Sequence, residues 1–108
     1  MNKYKLIVNV PLTHADAVRE ALSKAGAGCF GTYDNCSFSI RGTGRFMPGA
    51  QANLYIGKAH QLEIVEEEQI QVDVLYEDMK AVLAALKSAH PYEEPGYEIY
   101  QMADESIF

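Results

Sequence analysis

The side chains in this 108-residue sequence best suited to chemistry sit in three separated stretches. The densest is His90-Pro91-Tyr92-Glu93-Glu94-Pro95, where an imidazole and two carboxylates lie within a link stiffened by two prolines. Imidazole and carboxylate together suit a borderline divalent ion such as Zn²⁺, with ligand distances of about 2.0–2.2 Å. They suit a proton-transfer pair equally well. A third reading needs no ligand: a basic residue at a helix C-terminus complements the helix dipole, and proline after it is an ordinary stop. His14 opens the first helix and His60 closes a long loop, so the candidate metal set is His14, His90 and Glu93, with His60 joining only if its loop folds inward.

Arg41 and Arg45 flank Gly42-Thr43-Gly44. Their planar donors could hold an anion; a hinge with solvated arginines is the alternative. The segment lacks the third glycine of a dinucleotide fingerprint, and no Gly-Lys-Ser/Thr ending occurs. The candidate ligand contacts are Arg41, Arg45, Asn53, Tyr92, Glu93 and Glu94, serving a small anion or a metal ion; no other cofactor is expected. Cys29 and Cys36 match no zinc-finger spacing and read as reduced, small buried hydrophobes. No serine or cysteine has a readable base partner, so no catalytic residue is assigned and an enzyme is not expected.

These stretches gain meaning only through the elements that place them. Tyr4, Leu6, Val8 and Val10 alternate as a strand ended by Pro11. Thr13 and Asp16 read as a capping box for a helix over about 14–25, with Ala15, Val18, Leu22 and Ala25 as its apolar stripe and Gly26 and Gly28 as its stop. Cys36–Ile40 is a second strand that Gly42-Thr43-Gly44 interrupts, leaving residues 42–60 as a long loop. Loops of this length in a small domain tend to carry function. Alternation resumes at Leu62 and Ile64, then at Ile70, Val72 and Val74, with a bulge or edge expected at Glu66-Glu67-Glu68. Met79, Val82, Leu83 and Leu86 mark a second helix, and Tyr97–Tyr100 a last strand.

The order β-α-β, long loop, β-α-β predicts an α+β ferredoxin-like sandwich, a four-stranded antiparallel sheet with both helices on one face. In that topology three connections reach one end of the sheet, and all three histidines ride on them. Residues 1–108 read as one domain.

Composition removes whole classes of function. Hydrophobic residues at 48% can fill a single layered core, and no apolar run approaches the ~18 residues of a membrane span. The formal charge of −6 disfavours nucleic acid, which is bound mainly through Lys and Arg. That charge is uneven: residues 1–60 carry seven Lys/Arg against three Asp/Glu, and residues 61–108 carry two against twelve. Such asymmetry is read as solvated surface, as head-to-tail contact between copies or as a local anion site in the basic half. The N-terminus lacks an export pattern, so a cytoplasmic location is expected. Five tyrosines (33, 55, 92, 97 and 100) exceed one core face and suit an interface.

Several spaced segments resemble a known family. Gly26-Ala27-Gly28, Tyr33-Asp34-Asn35-Cys36-Ser37-Phe38, Gly42-Thr43-Gly44-Arg45-Phe46, Ala52-Asn53 with Ile56-Gly57, and above all Ala89-His90-Pro91-Tyr92-Glu93-Glu94-Pro95 are similar to the domain inserted in the GTP cyclohydrolase I type 2 homologue family, also called NGG1-interacting-factor-three-like. The resemblance implies a fold like the PII signalling proteins and the CutA divalent-cation-tolerance proteins, usually trimeric. The two-metal site of that family belongs to its flanking domains, so its hydrolase-like label has no residues to rest on here. Gln51, Leu54 and His60 depart from the family pattern, which usually has glycine, proline and glycine. The expectation is therefore a small standalone PII/CutA-like binding or regulatory module that self-associates as a trimer or dimer, with a divalent-metal-binding or metal-sensing protein as the alternative.

Overall fold

The structure is a computed structural model and describes residues 2–51 and 54–108. Its elements are β1 (Lys3–Pro11), α1 (Ala15–Lys24), β2 (Phe38–Phe46), β3 (Glu63–Leu75), α2 (Tyr76–Ala89) and β4 (Tyr97–Gln101), with 3₁₀ turns at Leu12–His14 and Glu105–Ile107. The strands form one antiparallel sheet in the order β2-β3-β1-β4. Both crossovers pass through a helix, and α1 and α2 pack on the same sheet face, which is the ferredoxin-like arrangement the element order predicts.

Strand alternation assigns the two faces. Leu6, Val8 and Val10 of β1 and Ile70, Val72 and Val74 of β3 point to the helices, where Val18, Leu22, Val82 and Leu86 meet them in a fully buried core. Each such side chain contributes about 1.5–3 kcal/mol relative to its exposed state. The opposite face, free of helices, carries Ile7, Asn9, Phe38, Ile40, Gly42, Gly44, Phe46, Glu67, Gln69 and Tyr100, as the cross-strand pairs Ile40↔Gln69 and Gly42↔Glu67 require.

Helix α1 ends as its glycines dictate. Gly26 takes φ +115°, and the amides of Gly26 and Ala27 donate to the carbonyls of Ser23 and Leu22. Gly28, at φ +85°, donates to the Asp73 carbonyl and accepts from the Cys36 amide; a β-carbon there would lie 2.6 Å from the Cys36 oxygen. The capping box is not formed at the other end of this helix. Thr13 bonds the His14 ring at 2.8 Å instead of a backbone amide, because a 3₁₀ turn carries the chain from β1 into α1.

Two strand expectations need correction. β2 does not stop at Ile40; it continues through Gly42-Thr43-Gly44 to Phe46, paired in unbroken register with β3, so the connection spans 47–62 rather than 42–60. Phe38, Ile40, Gly42, Gly44 and Phe46 occupy one face, so the glycines continue the apolar phase rather than break it. The bulge at Glu66-Glu67-Glu68 is also absent, since Ile64, Glu66, Glu68, Ile70, Val72 and Val74 are all in one phase and both ladders of β3 run through without an extra residue. Glu68 is held on the helix side by Arg19, whose guanidinium also reaches Asp16 at 2.8 Å and Ser39 at 3.3 Å. No described helix is long and apolar enough to cross a membrane.

Candidate functional site

Because β1 and β2 run one way and β3 and β4 the other, three connections arrive at one end of the sheet: Leu12–His14, residues 47–62, and residues 90–96. Between the second and third of these opens a cleft of about 520 Å³. Its floor is the helix-free sheet face at Asn9, Gly44, Phe46 and Glu67; its walls are Met47–Gly49 and Leu54–Ile56 on one side and Tyr92–Glu94 on the other.

His90 sets the position of the Tyr92 wall. It is 5% exposed, its Nε2 lies 2.7 Å from the Asn9 carbonyl, and its Nδ1 lies 3.1 Å from the Tyr92 amide. A carbonyl only accepts and an amide only donates, so the ring is the neutral Nε2–H tautomer, with both nitrogens engaged. Burial holds its pKa below the ordinary histidine value, and the hydrogen bond to Asn9 offsets that only in part. The imidazole thus ties the 90–96 link to β1.

Tyr92 is the hub of the aromatic wall. Its ring centroid lies 5.0 Å from His90, 5.7 Å from Phe46 and 6.1 Å from Tyr55, and Tyr55 in turn packs edge-on to His14 at 5.6 Å. One ring cluster therefore joins all three connections. Such edge-on and tilted pairs add about 0.5–1.5 kcal/mol each beyond area burial.

Below these rings lies a carboxylate. Glu67 leans over Gly44, where any β-carbon would collide with it, and burial raises its pKa. The buried Tyr92 hydroxyl lies beside it; strict hydrogen-bond geometry is not met among the described residues, yet the approach is close enough to offset part of the rise in the Glu67 pKa. Burial first, and then the Glu67 charge, push the phenol up to about 12. At neutral pH the Tyr92 phenol is protonated and can donate.

Of the side chains singled out from sequence, Arg45, Tyr92, Glu93 and Glu94 line the cleft. Arg41 lines an adjoining groove of about 220 Å³ over Gly42 and Gly44. Asn53 lies outside the described residues. His14 reaches the cluster through Tyr55, whereas His60 is exposed at φ +62° and anchors the loop through its amide, which donates to the Pro48 carbonyl at 2.7 Å. Among the described residues no three His, Cys, Asp or Glu side chains form a metal-holding group. Cys29 is exposed and Cys36 half-exposed, not buried as small hydrophobes. Sequence reasoning missed Glu67, Phe46 and Tyr55. The register explains Glu67: it pairs with Gly42 and leans over the diagonal Gly44, two positions with no side chain to crowd it.

Comparison with known proteins places this geometry. No family model matches. A GTP cyclohydrolase 1 type 2 homolog of Halalkalibacterium halodurans is 50% identical over 102 residues, covering 94% of the chain and 27% of that protein. The chain is related to a segment of such proteins. A crystal structure of a Bacillus cereus protein related to NIF3 superposes with TM-score 0.81 at 41% identity, covering 95% of the chain and 26% of that structure. The chain thus spans about a quarter of the length of these relatives. Two smaller proteins share the fold along most of their own lengths. CutA of Synechococcus elongatus has a TM-score of 0.67 at 17% identity, covering 94% of this chain and 77% of its own. GlnK of Bacillus subtilis has 0.64 at 14%, covering 95% and 87%. The chain has a PII/CutA-like fold.

Proposed function

We propose that this module binds a small molecule in the cleft at the loop-bearing end and self-associates through the helix-free face of its sheet. The observation that carries the binding role is the convergence of three separated connections on one ring cluster above a half-buried carboxylate. A cleft that mixes apolar walls with a few convergent polar groups is the usual form of a small-molecule site. A binding role suits these groups better than catalysis. His90 is locked as a neutral tether, and the Tyr92 phenol is held far from ionisation.

Self-association is supported by the face that no helix covers. Phe38 is 63% exposed, Tyr100 52% and Ile40 48%, on the same face as Ile7 and interleaved with Gln69 and Gln71, on a sheet whose outer strands β2 and β4 have open edges. Copies packed with this face toward a common symmetry axis, two across a two-fold or three around a three-fold, would cover these side chains in the closed assembly that soluble oligomers favour. Light scattering at micromolar concentration tests the reading. The wild type runs as a trimer or dimer, and Ile40→Glu, which sets a charge on the exposed outer strand of the face without touching the core, runs as a folded monomer. A wild type that is monomeric at the same concentration contradicts self-association.

A further inference from the structure

The cleft's charge does not match an anion. Arg45 is the only Lys or Arg among its described lining residues, against Glu67, Glu93 and Glu94. Arg45 pairs across the ladder with Ile64 and so belongs to the phase of β2 that faces the helices, whereas Glu67 rises from the opposite face. No lysine or arginine pairs with Glu67 among the described residues, so a half-buried carboxylate lies on the floor without a counter-charge. Leaving a charge in such a place is costly unless something pairs with it. Tyr92 lies beside this carboxylate, and Phe46 and Tyr55, which pack against Tyr92, line the same cleft; π-faces attract cations more strongly where water is excluded.

We infer that the cleft takes an organic cation, an alkyl- or arylalkyl-ammonium whose charged head meets the Glu67 carboxylate and whose apolar body lies among Phe46, Tyr55 and Tyr92. The inference rests on the reading of the cleft as a binding site and adds the chemical class of its occupant. An ammonium supplies the missing counter-charge and donates to Glu67 from a position the protein's own cations do not reach. Met47, Pro48, Leu54 and Ile56 extend the apolar surface outward, so a bare metal ion would leave most of the cavity unfilled. An inorganic or nucleotide phosphate would place its charge against the Glu67 carboxylate on the floor.

The test uses the full chain with three probes: phenethylammonium chloride, its neutral isostere 2-phenylethanol, and inorganic pyrophosphate. Affinity is read by calorimetry and location by amide NMR. Phenethylammonium binds and moves the amides of Gly44, Phe46 and Tyr92, while the alcohol binds at least tenfold more weakly and pyrophosphate not at all. Glu67→Gln, close to isosteric, weakens the ammonium by about tenfold or more, the usual span for one charge-assisted contact. Gly44→Ala, whose β-carbon displaces the carboxylate, does the same by a different route. Equal binding of alcohol and ammonium, pyrophosphate binding at those amides, or full ammonium affinity in both variants overturns the cation assignment while leaving a binding cleft standing. No shift at any cleft amide with any probe removes the binding role itself.

Discussion

Replacing His90 by alanine should destabilise the protein out of proportion to the atoms removed. The side chain is almost fully buried and bonds the Asn9 carbonyl at 2.7 Å and the Tyr92 amide at 3.1 Å. Alanine leaves both backbone groups without partners, and each orphaned buried group costs about 1–3 kcal/mol, to which the void left by the ring adds. The expected loss is about 3–5 kcal/mol, measured by urea denaturation with tyrosine fluorescence, since the chain has seven tyrosines and no tryptophan. His90→Gln keeps a donor and should lose less. The pH dependence supplies a second readout. Burial lowers the folded-state pKa below 6.5, so as pH falls past about 6.5 the unfolded chain takes up a proton before the native one does. Stability is therefore full above that pH and declines below it, by at most about 1.4 kcal/mol per pH unit for one proton, until the native ring titrates. Glu67, whose pKa is raised, contributes with the opposite sign, because stability rises as pH falls through its folded pKa. It is present in both proteins, so the difference between wild type and His90→Gln over pH 5–8 isolates the histidine. A loss under about 1 kcal/mol in His90→Ala, or pH profiles that run parallel, would refute this account of the tether.

Three further substitutions probe the frame that holds the cleft. Gly28→Ala must place a β-carbon against the Cys36 carbonyl at φ +85°, so it should cost about 2 kcal/mol or more by the same denaturation assay. Leu86→Ala, in the centre of the α2 contact, should cost about 2–5 kcal/mol. Arg19→Ala removes the partner of the partly buried Glu68 and should cost more than about 1 kcal/mol, with much of that recovered in the double variant Arg19→Ala, Glu68→Gln, as a double-mutant cycle would show.

The fold was legible because its signals are local and mutually consistent. The alternation of β1, the apolar stripes of both helices and the glycines after Lys24 each specify one element, and right-handed crossovers leave little choice in assembling them. The strand through Gly42-Thr43-Gly44 was not legible by propensity, since glycine is poor in isolated strands. There β3 decides the matter by offering a continuous ladder of partners, and the face phase of Phe38, Ile40 and Phe46 is the signal that survives. The rim itself was readable from topology, because three connections must meet at one end whatever their side chains do. What those side chains do there was not. His90 read as a helix-end residue, a ligand or a proton-transfer partner on residue type alone, and the 2.7 Å approach of the Asn9 carbonyl, eighty-one residues away, makes it a tether. Glu67 read as part of an acidic run, and only its position over Gly44 distinguishes it from Glu66 and Glu68 on the other face.

The most direct test of the central claim is a nuclear Overhauser spectrum of the aromatic protons, with His14, Phe46, Tyr55 and Tyr92 assigned. Cross-peaks from Tyr55 to both His14 and Tyr92, together with Tyr92 to Phe46, are the predicted result, because only a rim assembled from all three connections brings these rings into contact. A spectrum in which Tyr55 shows no cross-peak to either His14 or Tyr92, while the core contacts of Leu86 and Val18 are intact, would contradict it.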